Sequence, residues 1–390
     1  MKNQYDIVVV GAGPAGAMAA HAAAQTGARV LLLEKDRQAG IPVRCAEGVG
    51  EGSFRKVFPQ VPESWICQRI TKAVIHAPSG AELPIASRHT GLLLDRKRFD
   101  FDLAHRAVQA GAELFVKANV HGMHIDKAKG AQVQVRWLDR EVTVTAQVVI
   151  GADGVESRVG RWGGLKTVTP LRDLDACAQV LAGPVDLAMD TCHFYFSEHV
   201  TPGGYAWIFP KGDGLANIGL GVSGDRCADA RPYAQLQAFL HQHFPGIRQL
   251  SATCGGVPCC APMKKIVSDR LMLAGDAAHQ VNPLTGGGIV NALIAGRLAG
   301  KIAGQAVQEN DCSAERLREY EKTWQQTEGV RQARAFRLKQ AMFSLNDERL
   351  NILADTVLNL PFEKRTIINI FKYALLKKPS LIWDAVKVFT

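Results

Sequence analysis

The chain lacks the patterns that mark several classes of protein. Its nine cysteines include no C-x-x-C pair of the kind that holds zinc or an iron–sulfur cluster, so we expect free thiols and no metal. No uncharged apolar run reaches the roughly 18 residues that cross a bilayer. The start, MKNQYDIVVVGAG, enters a strand without the regions of a signal peptide. We therefore expect a cytoplasmic protein, either soluble or peripheral on the inner face of the membrane.

The charge balance is basic, with a net charge of +9 over 390 residues. No basic and aromatic repeat or recognition motif accompanies this excess, so we expect no nucleic-acid partner. An anionic membrane surface or an anionic substrate would account for the excess, and so would simple solubility. The length allows two domains, and 47% hydrophobic with 21% charged residues is a globular composition.

Residues 5–35, YDIVVVGAGPAGAMAAHAAAQTGARVLLLEK, have the pattern of a dinucleotide-binding unit. The predicted elements are a buried strand at Ile7–Val10, an alanine-rich helix ending near Gly27, and a second strand at Val30–Leu33. Gly11 permits a tight turn, Gly13 lets the backbone approach a pyrophosphate, and Gly16 lets the helix pack close to the strand. Glu34 follows where a carboxylate binds a ribose hydroxyl, which favours FAD or NAD over NADP.

Two later segments end strands in Gly-Asp motifs. VVIGADGVESRVGR, residues 148–161, carries Asp153, and LMLAGDAAHQVNPLTGGGIVNALIAG, residues 271–296, carries Asp276. Asp276 at a strand end can accept a ribityl hydroxyl, and the Gly286–Gly288 backbone at a helix start can donate to an anionic flavin oxygen. Either motif alone could be an ordinary turn, but three in this order favour one cofactor site.

The motifs GAGPAG, GADGxxS and GDAAHxxxPxxGGG resemble the flavoprotein group that includes p-hydroxybenzoate hydroxylase. The resemblance covers residues 1 to about 310 and implies FAD. It also implies an α/β fold, in which a Rossmann-like FAD-binding domain is interleaved with an antiparallel β-sheet substrate domain and followed by C-terminal helices. A second dinucleotide domain for NAD(P)H is absent in that group and from this sequence.

Two further segments resemble the geranylgeranyl reductase family, which includes the digeranylgeranylglycerophospholipid reductases. They are IPVRCAEGVGEG, residues 41–52, and PGGYAWIFP, residues 202–210, and LLLDRKRFDFDLA at residues 92–104 also matches. In that family the Cys-(Gly/Ala)-Glu-Gly loop, here with Ala46, lies beside the flavin ring. The aromatic strand roofs the cavity above it.

The motifs and the resemblance together predict the site. Period-two alternation places Tyr205, Trp207 and Phe209 on one strand face, either against a flavin and an isoprenoid chain or in an ordinary core. The predicted FAD-binding positions are Gly11, Gly13, Ala15, Gly16, Glu34, Lys35, Cys45, Ala46, Gly48, Arg96, Val120, Asp153, Gly275, Asp276, Pro283, Gly286, Gly287, Gly288 and Ile289.

The family implies hydrogenation of C=C bonds in geranylgeranyl chains, with hydride from the N5 atom of reduced flavin and a proton from elsewhere. The substrate would be a membrane lipid or a prenyl diphosphate, and electrons would come from an external NAD(P)H or ferredoxin-type donor. Cys45 is a candidate acid, with a wall for the flavin as the alternative. A flavin-dependent aromatic monooxygenase or halogenase of the same fold, or a flavoprotein without catalysis, are the alternatives.

Three regions divide the chain in this interpretation. They are a discontinuous FAD-binding domain at 1–73, 95–164 and 266–312, a substrate domain at 74–94 and 165–265, and a helical region at 313–390. The last segment, from Phe362, is basic and amphipathic, and includes Lys377 and Lys378. It would lie on an anionic membrane or form a lid helix with a solvated basic face.

Overall fold

Three β-sheets organise the chain in a computed structural model that describes residues 1–86, 90–126, 129–376, 382–383 and 386–387. The strands are β1 Gln4–Val10, β2 Val30–Leu33, β3 Gly48–Gly50, β4 Ile66–Ile70, β5 Lys72–His76, β6 Glu82–Ile85, β7 Gly91–Leu94, β8 Glu113–Phe115, β9 Ala118–Asp126, β10 Gly130–Trp137, β11 Arg140–Gly151, β12 Leu174–Gly183, β13 Thr191–Tyr195, β14 Ala206–Gly212, β15 Leu215–Ser223, β16 Arg248–Pro258, β17 Val267–Ser268 and β18 Leu271–Leu273. The helices are α1 Pro14–Ala24, α2 Glu51–Val57, α3 Arg96–Gln109, α4 Arg158–Trp162, α5 Pro232–His243, α6 Ile289–Gln308, α7 Ala314–Gln326, α8 Glu328–Met342, α9 Asp347–Leu358 and α10 Ile367–Ala374.

The first sheet has a parallel centre in the order β18-β11-β1-β2-β8. The predicted strands at residues 7–10 and 30–33 lie in it as parts of β1 and β2, and both are buried. Such apolar strands are typical of a parallel sheet covered on both faces. The antiparallel β9-β10-β11 unit is attached to this sheet through β11.

Helices α1 and α6 cross at very short range. A Cβ built on Gly296 would lie 2.1 Å from the Ala15 carbonyl oxygen, and one on Gly300 would lie 2.1 Å from the Ala19 carbonyl oxygen. Glycines four residues apart share a helix face, so α6 presents a flat stripe to the backbone of α1. This contact holds the glycine-rich turn before α1 and the glycine loop before α6 in one rigid unit.

The second sheet has the order β16-β12-β15-β14-β13-β5-β6 and is antiparallel except between β13 and β5. One face packs with α5 in a core that includes Ala206, Ile208 and Ile218. Because side chains alternate along a strand, the residues between these positions point to the other face.

The third sheet, β3-β7-β4, is small. Of the predicted substrate segment at 74–94, strands β5 and β6 join the second sheet, but β7 pairs with β3 and β4. Leu92 and Leu94 on β7 are fully buried with Trp65 and Phe99, whose rings lie 4.9 Å apart in a T-shaped contact. This core, and not the second sheet, decides where β7 lies. The division of the chain into domains stays a prediction.

The C-terminal region after Ser313 is helical in the residues that the structure describes. Buried polar side chains of helix α8, Lys339 and Gln332, bind it to the body. Lys339 Nζ lies 2.9 Å from Asp175 Oδ1 on β12, and the Gln332 side chain donates to the His279 carbonyl oxygen. Of the predicted basic segment, α10 covers only residues 367–374, and Lys377 and Lys378 lie outside the described residues. No helix in the described ranges is long and apolar enough to cross a membrane.

Candidate active site

The turn between β1 and α1 has the geometry of a pyrophosphate cradle. Gly11 has φ +98°, and a Cβ there would lie 2.3 Å from the Ala152 carbonyl oxygen. A Cβ on Gly16 would lie 1.8 Å from the Gly11 carbonyl oxygen, whereas a Cβ on Gly13 would meet no described atom within 4 Å. Two glycines are therefore required by the protein itself. The third borders open space at the start of α1, where backbone N–H groups favour anions.

Glu34 closes this cradle at the end of β2. Its carboxylate accepts hydrogen bonds from the backbone N–H groups of Ala12, at 2.8 Å, and Asp36, at 2.9 Å. The carboxylate is thereby held beside the glycine turn, which is the position where a ribose hydroxyl would bind. Lys35, the next residue, is exposed.

The other two Gly-Asp motifs bring two carboxylates to the same region. Asp153 Oδ2 accepts from the Val159 N–H at 3.0 Å, but its buried Oδ1 has no hydrogen-bond partner among the described residues. Asp276 Oδ1 lies 3.4 Å from a Cβ built on Gly288. Burial raises the pKa of Asp276, and the nearby Arg96 guanidinium opposes the rise. These acceptors fit the hydroxyl-rich middle of an FAD molecule.

The loop before α6 joins the cofactor side to the second sheet. Gly286 has φ +67°, and Thr285 and Gly287 are exposed. The Tyr205 hydroxyl donates to the Thr285 carbonyl oxygen at 2.6 Å. The predicted aromatic strand therefore contacts the loop that the resemblance assigns to the flavin.

Hydrogen bonds from the second sheet hold the Cys45–Glu47 loop. Gln179 on β12 donates through Nε2 to the Cys45 carbonyl oxygen at 3.0 Å and accepts from Trp207 Nε1 at 3.0 Å. Asn217 on β15 donates through Nδ2 to the Ala46 carbonyl oxygen at 3.3 Å. Two consecutive carbonyls of the loop are thus held by two buried amides, both of which come from the second sheet.

The half-buried Cys45 thiol lies near several charged groups. Burial raises its pKa, while the Arg96 guanidinium and the Glu47 N–H, 3.2 Å from Sγ, lower it. Arg96, the predicted FAD contact, is paired with Asp100 through Nε and Nη2, both at 2.7 Å. The thiol is therefore protonated at neutral pH, and Arg96 is held in place by an acid that the sequence analysis did not single out.

The aromatic residues form a continuous wall on the face of the second sheet opposite its core. The centroid of the Tyr205 ring is 5.9 Å from Trp207 and 6.0 Å from Phe194, and Phe209 is 5.5 Å from Phe194. Phe196 extends the row, 5.7 Å from Tyr205. Of the residues of β14, Ala206 and Ile208 pack into the core on the other face of the sheet. The predicted rings therefore belong to a separate apolar surface.

This wall reaches the Cys45 loop at its other end. A Cβ on Gly48 would lie 3.1 Å from Cε2 of Phe209. The wall therefore runs between two segments, Cys45–Gly48 and Thr285–Gly288. Of the remaining predicted positions, Ala15, Val120, Gly275, Pro283 and Ile289 are buried. Val120 lies in the core of the first sheet on β9.

Five polar residues of this site were not identified from the sequence, although Glu47 and Asp100 lay within quoted motifs. They are Glu47, Asp100, Gln179, Lys211 and Asn217. Gln179 and Asn217 are amide side chains whose neighbours on either side in their strands are small or apolar, which is a signal that could have found them. Among the described residues, no group of three His, Cys, Asp or Glu side chains could hold a metal ion.

Comparison with known proteins gives the family. Residues 173–257 match the geranylgeranyl reductase catalytic domain, and residues 6–179 match the FAD dependent oxidoreductase family. Digeranylgeranylglycerophospholipid reductase 1 of Methanococcoides burtonii is 40% identical, covering 100% of this chain and 96% of that protein. The corresponding reductase of Methanosarcina acetivorans is 41% identical, covering 98% of this chain and 96% of its own length.

Solved structures agree. A geranylgeranyl bacteriochlorophyll reductase-like protein from Thermoplasma acidophilum superimposes with a TM-score of 0.89 at 32% identity, covering 99% of this chain and 100% of that one. The flavin-dependent brominase Bmp2, as a triple mutant, gives a TM-score of 0.74 at 16% identity, with 98% of each chain covered, and so shares the fold alone. With the FAD-type cradle described above, these matches show that the chain belongs to the digeranylgeranylglycerophospholipid reductase family of FAD-dependent oxidoreductases.

Proposed function

We propose that the protein is an FAD-dependent reductase that hydrogenates the C=C bonds of geranylgeranyl chains carried by a glycerophospholipid. The observation that carries the proposal is the aromatic wall, which contacts the Cys45 loop through Phe209 and the glycine loop through Tyr205. An apolar wall between two flavin-binding segments suits a polyunsaturated chain, because ring faces accept it without polar partners from the substrate.

In this proposal, different residues bind the cofactor, orient the substrate and supply the proton. The glycine turn before α1, Glu34 and Asp276 bind and orient FAD, which when reduced supplies hydride to one carbon of the double bond. Trp207, fixed by Gln179, orients the isoprenoid, and the surrounding rings exclude water. A proton must be delivered to the other carbon. The Cys45 thiol holds one throughout the neutral range, because burial raises its pKa.

Replacing Cys45 with alanine tests the proton role. If the thiol delivers the proton, turnover falls by about 10²-fold or more while FAD stays bound. The matched control is Cys67→Ala, since Cys67 is also a half-buried thiol packed near Phe209, and it should keep wild-type turnover. Unchanged turnover in Cys45→Ala with FAD retained would assign Cys45 to the wall of the flavin site instead.

The electron donor in this proposal is external, either NAD(P)H or a ferredoxin-type protein, and the protein works in the cytoplasm at the inner face of the membrane. Exposed apolar side chains near the C-terminus support the membrane contact: Phe362, Ile367, Leu376 and Trp383. Lys364, Lys372 and Lys387 lie in the same region of the sequence. Such a mixed surface suits an anionic bilayer.

Vesicle flotation checks this contact. We expect the protein to float with phosphatidylglycerol vesicles but not with phosphatidylcholine vesicles, and raised salt should release it. Trp383→Ser should weaken flotation, whereas Tyr233→Ser, which changes an exposed ring on the distant helix α5, should not. Equal flotation with both vesicle types would remove the electrostatic part of the proposal.

The test of the function itself is anaerobic. The FAD-loaded protein is reduced with dithionite and given a geranylgeranylated glycerophospholipid or geranylgeranyl diphosphate, and the product mass is followed. We expect the mass to rise by two hydrogens for each reduced bond, with the lipid favoured over the diphosphate. Reduced flavin that persists without any mass change would contradict the proposal and favour an oxygen-using monooxygenase or halogenase, to be tried in air with aromatic substrates.

A further inference from the structure

Glu47, the acid of the Cys45–Glu47 loop, has an unusual position in this site. It is 3% exposed and has φ +73°, a left-handed backbone conformation that is unusual for glutamate. A strained, buried acid persists only where its surroundings fix it. The surroundings of Glu47 come from three separate parts of the chain.

The carboxylate of Glu47 is the centre of these contacts. Oε2 is bound by Lys211 Nζ on β14 and by Asn217 Nδ2 on β15, the second at 2.6 Å. Oε1 accepts from the Arg96 N–H at the start of α3, at 3.2 Å. The side chain of Lys211 is 16% exposed, so water screens the ion pair weakly.

The backbone of Glu47 completes the connection to the thiol. Its N–H is directed to Cys45 Sγ at 3.2 Å, and its carbonyl oxygen accepts from the Leu94 N–H at 3.0 Å on β7. With the Cys45 carbonyl held by Gln179, the peptide between Cys45 and Ala46 is fixed in orientation. The Ala46 N–H, on the opposite edge of that trans peptide, has no hydrogen-bond partner among the described residues.

We propose that Glu47 is a positioning residue, whose carboxylate ties the Cys45–Glu47 loop to Lys211 and Asn217 and so fixes the Cys45 thiol and the Ala46 N–H against the flavin. The inference rests on the proposed function, because it assumes that the loop faces the cofactor during turnover. The second sheet then holds both the aromatic wall and the Cys45 thiol. The distance between the wall and the thiol therefore does not depend on movement of one sheet relative to another.

The charges around Cys45 make this role measurable without turnover. The groups that face the thiol are the Arg96 guanidinium, which lowers its pKa, and the Glu47 and Asp100 carboxylates, which raise it. Replacing Glu47 with glutamine keeps the shape but removes one negative charge. The pKa of the Cys45 thiol should therefore fall, since its thiolate is less disfavoured.

The experiment measures alkylation of Cys45 by iodoacetamide against pH, read by mass spectrometry on the tryptic peptide that starts at Cys45. In Glu47→Gln the midpoint should move to lower pH, and turnover should fall about 10- to 100-fold, mainly in kcat. Glu51→Gln is the matched control. Glu51 pairs with Arg55 and Thr90 outside the loop, and both the midpoint and kcat should stay at wild-type values.

Variants of Lys211 separate positioning from folding. Lys211→Arg keeps the cation and should retain kcat within about 3-fold, whereas Lys211→Met should lose kcat as Glu47→Gln does. The double variant should be no worse than the poorer single one, because both changes break one ion pair. A wild-type alkylation midpoint in a folded Glu47→Gln, or additive losses in the double variant, would overturn the inference. Failure of the wild-type protein to reduce geranylgeranyl chains would instead count against the proposed function, since alkylation needs no substrate.

Discussion

Replacing Gly13 with valine should abolish FAD binding while leaving the apoprotein as stable as the wild type. A Cβ at this position meets no described protein atom within 4 Å, so a branched side chain fits the folded chain. The backbone there is extended, with φ −69° and ψ −177°, which valine adopts without strain. The same side chain fills the space in front of the α1 N-terminus, where the pyrophosphate must approach. We expect FAD affinity to fall at least about 100-fold, or about 2.7 kcal/mol.

The matched control is Gly16→Val, three residues along the same turn. Its Cβ would lie 1.8 Å from the Gly11 carbonyl oxygen and 3.0 Å from the Gly11 carbonyl carbon. The helix must move away from β1, so we expect loss of stability in the apoprotein itself. Thermal melting of the apoproteins and titration with FAD separate the two effects. Wild-type FAD affinity in Gly13→Val would show that the cofactor does not use this turn.

The second large effect is expected at Lys339. Its ammonium group is 2.9 Å from Asp175 Oδ1 and 3.1 Å from the Cys259 carbonyl oxygen, and both charged residues are buried. Lys339→Met leaves the Asp175 carboxylate unpaired, which costs about 3–5 kcal/mol of unfolding free energy. The loss should be smaller in acid. Burial raises the pKa of Asp175, and without the Lys339 charge that now lowers it, the carboxyl protonates more readily and carries no unpaired charge.

Two further variants test whether the unpaired charge causes the loss of stability in Lys339→Met. Arg331→Met removes an exposed cation of the same helix, which pairs at 3.5 Å with the half-buried Glu328, and it should cost less than about 1 kcal/mol. Adding Asp175→Leu to Lys339→Met replaces the whole pair by apolar groups and should restore most of the stability. Denaturant midpoints of the four proteins measure both effects. A double variant as unstable as Lys339→Met alone would show that packing of α8, and not the unpaired charge, is lost.

Local sequence patterns predicted the parts of the fold that can be recognised from residues close together in the chain. The strand at Val30–Leu33 and the start of α1 follow from an apolar run and a glycine turn, and the pairing of this strand with β1 joins residues within 30 positions of one another. The aromatic face of β14 follows from alternation alone. None of these needs knowledge of distant contacts.

The contacts that complete the site are of another kind. Gln179 and Asn217 reach carbonyls of the Cys45 loop across 134 and 171 residues of sequence. An amide side chain at a buried position indicates that it has a hydrogen-bond partner, but it does not identify that partner. The pairing of β7 likewise depends on a core shared with Trp65 and Phe99. The sequence pattern shows that this strand exists, whereas its sheet is chosen by packing among several elements.

The close crossing of α1 and α6 has a consequence for the choice of cofactor. In the proposed site, the N-terminus of one helix faces the position of the pyrophosphate, and the loop before the other faces that of the flavin ring. Because backbone meets backbone at Gly296 and Gly300, the helices cannot slide relative to one another without a clash. The helix pair therefore fixes the distance between these two positions, and so the length of a cofactor that can reach both. FAD analogues with a longer or shorter ribityl chain should therefore be rejected.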